Sequence, residues 1–150
     1  MRKAFTILLM LTAWVVSGQS VELRDGLYFK NGKLYKGIIK ETDSSGKVVA
    51  SLSINKGRLQ GETFMYHDNG AVKELRDYRK GLKHGVWYSY DEKGHKTGTA
   101  HYKKDLKNGV WLIWDENGQL RYYMKYKRGE KTGTWIMYDE KGTIVNEKKF

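Results

Sequence analysis

The chain has 150 residues, 28 Lys and Arg against 17 Asp and Glu, a formal charge of +11, and 39% apolar residues. That length suits one ordinary domain rather than two, and that apolar share is too high for a disordered chain. With no cysteine, disulfide stapling and thiol chemistry are excluded.

The first element is a leader. Arg2 and Lys3 precede an uncharged run, Ala4–Val16, and the small residues Ser17 and Gly18 follow. This is the pattern of a secretory signal peptide over residues 1–18, cut before Gln19. The thirteen uncharged residues fall short of the ~20 that a spanning helix needs, and no cysteine follows to carry a lipid. The expectation is export to the periplasm or beyond. Removing Arg2 and Lys3 takes the formal charge from +11 to +9. That excess favours anionic lipid, acidic glycan or an acidic protein as partner, and export makes nucleic acid a poor one.

Residues 19–36 read as an irregular capping half-repeat, with one extra residue between Gly32 and Gly37. From there a period of 24 governs the chain: Gly37, Gly61, Gly85, Gly109 and Gly133 open five repeats, 37–60, 61–84, 85–108, 109–132 and 133–150. A second glycine stands nine residues after each, from Gly46 to Gly142. Ile54, Tyr78, Tyr102, Tyr126 and Phe150 stand seventeen after. Trp87, Trp111 and Trp135 mark the last three copies, with Tyr90, Trp114 and Tyr138 three positions further on.

Each repeat predicts two strands divided by turns. Asp91-Glu92-Lys93-Gly94 and its counterparts at 115–118 and 139–142 supply a capping carboxylate and a glycine for the position of positive φ. Val48, Ala50, Leu52 and Ile54 alternate with Val49, Ser51 and Ser53, the period of a sheet with one drier face. The surplus of 11 Tyr and 5 Trp over 4 Phe suits half-buried positions in a thin structure. The predicted fold is all-β, an elongated single-layer antiparallel sheet of roughly ten strands built from consecutive 24-residue hairpins. The repeated tryptophan is expected to pack over a neighbour's glycine.

Gly81–Gly94, Gly109–Gly118 and Gly129–Gly142 carry a resemblance to the MORN-repeat variant family, over about residues 25–150. The resemblance implies an elongated antiparallel sheet of successive hairpins, and the family name suggests membrane contact. Bacterial proteins of this make-up are often labelled YwqK-like antitoxins. A classical antitoxin neutralises a cytoplasmic toxin, whereas the leader here directs the chain outward.

No residues converge on chemistry in the sequence. His67, His84, His95 and His101 fall at different repeat offsets. His95 and His101 stand about 20 Å apart along a strand at ~3.3 Å per residue, too far to share a metal ion. Asp91-Glu92, Asp115-Glu116 and Asp139-Glu140 recur at about 9.6 Å, two strands of ~4.8 Å, and read as turn chemistry rather than paired catalytic carboxylates. The reading is therefore a non-enzymatic protein with no cofactor, no metal and no small-molecule substrate. The opposite turns carry Lys56, Arg58, Arg79, Lys80, Lys83, Lys103, Lys104, Lys107, Lys127, Arg128 and Lys131, a candidate edge for an anionic partner. The functional expectation is an exported binding or scaffolding protein with a protein partner or an anionic lipid or glycan. The alternatives are an antitoxin-like inhibitor and a peripheral lipid-binding module.

Overall fold

Two turn chemistries, alternating along the chain, set the architecture. At one set of turns both central residues have positive φ: Lys56-Gly57, Lys80-Gly81, Lys104-Asp105 and Arg128-Gly129. Such two-residue loops match the right-handed twist of the strands they join. At the other set, the Asp91 side chain accepts from the backbone amides of Lys93 (2.9 Å) and His95 (2.8 Å), and Gly94 takes the left-handed position at φ 84°. Asp43, Asp115 and Asp139 repeat that cap.

The computed structural model describes residues 20–150; the expected signal peptide, residues 1–18, lies outside the described residues. Strands β1 (Val21–Arg24), β2 (Leu27–Lys30) and β3 (Lys33–Leu34) form a small antiparallel sheet. The repeats form a second sheet of thirteen strands. Its main path runs through β4 (Gly37–Thr42), β5 (Val48–Asn55), β7 (Gly61–Tyr66), β8 (Val72–Arg79) and β9 (Leu82–Tyr90). It continues through β10 (Lys96–Lys103), β12 (Gly109–Trp114), β13 (Leu120–Lys127), β15 (Thr134–Tyr138) and β16 (Ile144–Lys149). The two-residue strands β6 (Arg58–Leu59), β11 (Leu106–Lys107) and β14 (Glu130–Lys131) extend β5, β10 and β13 at the basic turns. The order follows the sequence, every pairing is antiparallel, and ten strands on the main path make the predicted single layer of hairpins.

Pairing within a repeat is long, and pairing between repeats is short. β12 and β13 meet from Gly109↔Tyr126 to Trp114↔Leu120, whereas β10 and β12 share only Gly98↔Ile113 and Thr99↔Leu112. Beyond those two pairs the joint opens toward the basic turns, and side chains fill it. Around the first repeat the filling is aliphatic. Ala50, Leu52 and Ile54 are buried, with Tyr28, Tyr35, Ile39, Leu59 and Met65 against them. The N-terminal sheet thus covers this cluster, tied on by the Tyr28 amide to the Gly57 carbonyl (2.9 Å) and the Gly57 amide to the Tyr35 carbonyl (2.8 Å).

From Tyr78 onward the filling is aromatic. Tyr78, Trp87, Tyr102, Trp111, Tyr126, Trp135 and Phe150 form one continuous ladder, with successive centroids 5.4, 4.7, 5.2, 5.2, 5.1 and 4.9 Å apart. Interplanar angles of 49–63° are the tilted geometry that ring quadrupoles favour, worth about 0.5–1.5 kcal/mol per pair beyond area burial. Each indole also closes the opened joint. Trp87, Trp111 and Trp135 donate Nε1–H to the carbonyls of Asp77 (2.9 Å), His101 (3.1 Å) and Lys125 (3.0 Å).

This corrects the expectation that tryptophan packs over a neighbour's glycine. The repeat glycine is a left-handed kink, and a side chain at Gly85 or Gly109 would run into Asp77 or His101 of the preceding strand. The residues that do cover a neighbour's turn glycine are Leu34 over Gly57, Arg58 over Gly81 and Leu106 over Gly129.

Candidate binding surface

The eleven predicted cations lie on the turns and short strands of one edge, but they divide into two groups. Lys83, Lys107 and Lys131 sit two residues before the repeat glycine and turn back over the ladder. Lys107 Nζ stands 4.3 Å from the Trp111 centroid and 4.7 Å from that of Tyr126. Lys83 does the same over Trp87 and Tyr102, and Lys131 over Trp135 and Phe150. An ammonium over a ring face is held by the ring quadrupole at about 0.5–1 kcal/mol in exposed settings. These three are part of the ladder.

The other eight, Lys56, Arg58, Arg79, Lys80, Lys103, Lys104, Lys127 and Arg128, are exposed. Among the described residues the ion pairs are Arg24–Glu22, Arg76–Glu74, His95–Asp91 and Arg121–Asp115, so none engages an edge cation. Each turn is bonded to the one before it. The amides of Gly81, Asp105 and Gly129 donate to the carbonyls of Leu59, Lys83 and Lys107 at 2.8, 3.0 and 2.8 Å. The amides of Lys80 and Arg128 donate to the side chains of Gln60 and Asn108. The eight charges are therefore carried on turns fixed in register with the repeat.

Asp105, the one departure from glycine in these turns, keeps the left-handed conformation at φ 67°. Its Oδ1 accepts from the Lys83 amide at 2.7 Å. Aspartate tolerates that conformation better than most residues because its short side chain can bond locally.

The repeat signature falls on both faces. Trp87, Trp111 and Trp135 lie on the ladder face, and Tyr90, Trp114 and Tyr138 lie on the other, half-buried, opposite Lys96, Leu120 and Ile144. Gly61, Gly85, Gly109 and Gly133 provide the kinks, at φ 78°, 64°, 120° and 65°.

Burial in the ladder pushes the Tyr78 and Tyr102 hydroxyls above the ordinary phenol range. Arg76, over Trp87 at 5.2 Å, is pulled down by burial but raised overall by its 2.6 Å bond to Glu74. On the acidic turns, desolvation alone would raise Asp91 and Asp115. The bonds from His95 and Lys93, and from Gln119, Asn117 and Arg121, outweigh it and lower both. His67 bonds the Tyr90 carbonyl at 2.8 Å and His95 lies against Asp91. No group of three or more His, Asp or Glu among the described residues is placed to hold a metal ion.

Residues 59–80, 83–104 and 107–128 match the family model of the MORN repeat variant. The matched segments are three consecutive copies of the 24-residue period, 66 of the 150 residues. They cover the turns of Arg79-Lys80, Lys103-Lys104 and Lys127-Arg128 and the ladder from Tyr78 to Tyr126. MORN repeats are in general binding and scaffolding modules. No curated protein matches the chain. Among solved structures, the crystal structure of the GtfA/B complex bound to UDP and GlcNAc is similar at 13% identity and a TM-score of 0.32, over 90% of this chain and 24% of that one. The chain thus spans about a quarter of its neighbour, a likeness too weak to bear on fold or function.

Sequence reasoning missed two features here. One is the second role of Lys83, Lys107 and Lys131. A signal for it was present, because lysine occupies that position only in the copies that carry tryptophan, while Tyr35 and Leu59 occupy it in the others. The second is a cleft of about 260 Å³ at the N-terminal end of the basic edge, lined by residues including Tyr28, Arg58, Leu59, Lys80 and Leu82.

Proposed function

We propose that the protein is an exported, non-catalytic binding module of the bacterial envelope or the space outside it, which engages an anionic partner along its basic edge. The observation that carries this reading is the row of eight exposed cations on turns hydrogen-bonded one to the next. A charged row held in a fixed arrangement binds with little ordering cost, because the backbone has already been immobilised by folding. The export half of the reading rests on Arg2, Lys3 and the run Ala4–Val16; fractionation with N-terminal sequencing should find a product starting at Gln19.

Binding is tested by capture from envelope extract on the immobilised protein at low and high salt. Retention at low salt that is lost at high salt, and lost on charge reversal of Lys80, Lys104 and Arg128, is the expected outcome. Unchanged retention by the reversed variant in low salt would sink the proposal. Cytoplasmic retention together with a single dedicated toxin would make the protein an antitoxin-like inhibitor instead.

A further inference from the structure

The cleft at the N-terminal end of the basic edge combines two chemistries. Leu23, Tyr28, Leu59 and Leu82 line it with apolar surface, and Arg58 and Lys80 line it with charge that no carboxylate among the described residues neutralises. Its volume is about 260 Å³, just below the ~300–1,000 Å³ range of ligand sites, which suits a small group or one unit of a larger ligand. The Arg58 stem lies over Gly81, with its Cβ, Cδ and Cγ 3.8, 3.9 and 4.0 Å from where a side chain at position 81 would begin. A ligand suited to this cleft is small, presents an apolar face, and carries a negative charge at its rim.

The same pairing recurs once down the edge, at Leu106, and at the next turn the corresponding position is Glu130. Leu82 and Leu106 are 41% and 49% exposed beside Arg79-Lys80 and Lys103-Lys104. Successive turns lie two strands apart, about 10 Å at ~4.8 Å per strand. A linear polymer reaches both positions at once, which a single small molecule does not. Twist separates a polymer from a membrane: at ~20–25° per strand, successive turns rotate by about 40–50°. Four turns cannot then address one plane together, but a flexible chain can follow them.

From this geometry, and resting on the reading of the basic edge as a binding surface, we infer that the protein binds an anionic polysaccharide built from uronate sugars. One unit sits in the cleft, its C–H face on Tyr28 and Leu59 and its carboxylate between Arg58 and Lys80. The adjoining units run along Lys103-Lys104 and Lys127-Arg128. Linked weak contacts of this kind gain affinity with chain length once the ligand spans more than one turn.

Titration calorimetry on the protein expressed from its full sequence tests this. The probes are oligogalacturonates of two and eight units, a neutral cello-oligosaccharide of eight, and phosphatidylglycerol vesicles. The octamer should bind at least tenfold tighter than the dimer, and the neutral oligomer should not bind. Arg58→Gln with Lys80→Gln, which keeps most of both stems, should weaken octamer binding at least tenfold. Lys93→Ala with Lys141→Ala, on the opposite turns, should leave it within twofold. Equal binding of the neutral oligomer, equal loss from the two pairs of substitutions, or vesicles binding more tightly than the octamer would each overturn the inference. Salt-sensitive envelope capture that persists while oligogalacturonate neither binds nor competes would remove the glycan and leave the binding module standing. Failure of both would remove both.

Discussion

Replacing Trp111 with alanine removes the central rung of the ladder and should uncouple the third repeat from the fourth. The indole stacks between Tyr102 and Tyr126 at 5.2 Å each, lies under Lys107 Nζ at 4.3 Å, and donates to the His101 carbonyl at 3.1 Å. A fully buried tryptophan truncated to alanine costs about 3–5 kcal/mol. Trp111 is half-buried, so packing and stacking together should cost about 2–3 kcal/mol. The lost indole hydrogen bond adds about 1 kcal/mol. Trp111→Phe keeps a ring between the tyrosines and loses the donor. The His101 carbonyl still accepts from the Asn108 amide at 2.9 Å, so that variant should lose only about 1–1.5 kcal/mol. Urea unfolding followed by circular dichroism and by fluorescence reads both. In a repeat array held by nearest-neighbour interfaces, Trp111→Ala should also lower the apparent cooperativity or split the transition. Equal losses for the two variants would mean the ring stack does not bind the repeats together. A loss under ~0.5 kcal/mol for alanine, the level of an ordinary surface change, would refute the ladder as a structural spine.

Thr63 stands where later repeats carry tryptophan, is 2% exposed, and its Oγ1 has no hydrogen-bond partner among the described residues; Thr63→Val should raise stability by about 1 kcal/mol, read as a higher urea midpoint at unchanged slope. Asp105→Ala should cost about 2 kcal/mol by straining a left-handed residue and removing the bond to the Lys83 amide, whereas Asp105→Gly should recover the strain and lose about 1 kcal/mol. Asp43, Asp91 and Asp115 have lowered pKa values in the fold, so their stabilisation is present above the unfolded aspartate value of about 3.9 and is lost as pH falls through the lower folded values. The urea midpoint should fall below about pH 4, and Asp91→Asn with Asp115→Asn should flatten that fall. The raised Tyr28, Tyr78 and Tyr102 act with the opposite sign, protecting the fold below about pH 10 and ceasing to as pH climbs through their folded values.

The architecture was legible because it is written locally. Glycines spaced by 24 and the Asp-x-x-Gly turns each specify a backbone conformation that few other residues adopt, so the hairpins and their order followed from the sequence alone. Alternation placed Val48, Ala50, Leu52 and Ile54 on one face; the last three are the buried apolar side chains of the first repeat, and Val48 is half-buried. The fate of individual side chains was less legible. Charge alone does not tell the eleven edge cations apart, since it says nothing of where a flexible stem leads; only the tryptophan of the same repeat marks Lys83, Lys107 and Lys131. Lys83 returns over two rings, Arg58 lies over a glycine, and Lys104 is exposed at its turn. The tryptophan misplacement has a similar origin. In a sheet paired along its full length, the space beside a glycine is where an indole would fit. The joint between repeats instead opens after two residue pairs, and the opening itself makes room for the ring.

One joint is closed differently from the rest. Where the first two repeats meet, β5 and β7 share Ala50↔Met65 and Ser51↔Phe64 only. The Ser53 carbonyl receives the Gln60 amide at 2.9 Å, but Thr63 supplies no indole to it. At the equivalent joint further on, the His101 carbonyl receives both the Asn108 amide and Trp111. The first joint therefore lacks an indole hydrogen bond and a rung, and it is closed instead by Ala50, Leu52 and Ile54 with Met65 packed across it. The cleft bridges this seam, with Tyr28 and Leu59 from the aliphatic side and Lys80 and Leu82 from the ladder side. A ligand that holds both sides binds the closed joint better than the open one, and by linkage it must stabilise the junction as it binds. Hydrogen exchange at Thr63 and Phe64 should then slow when ligand is added, ahead of any change at Ile113.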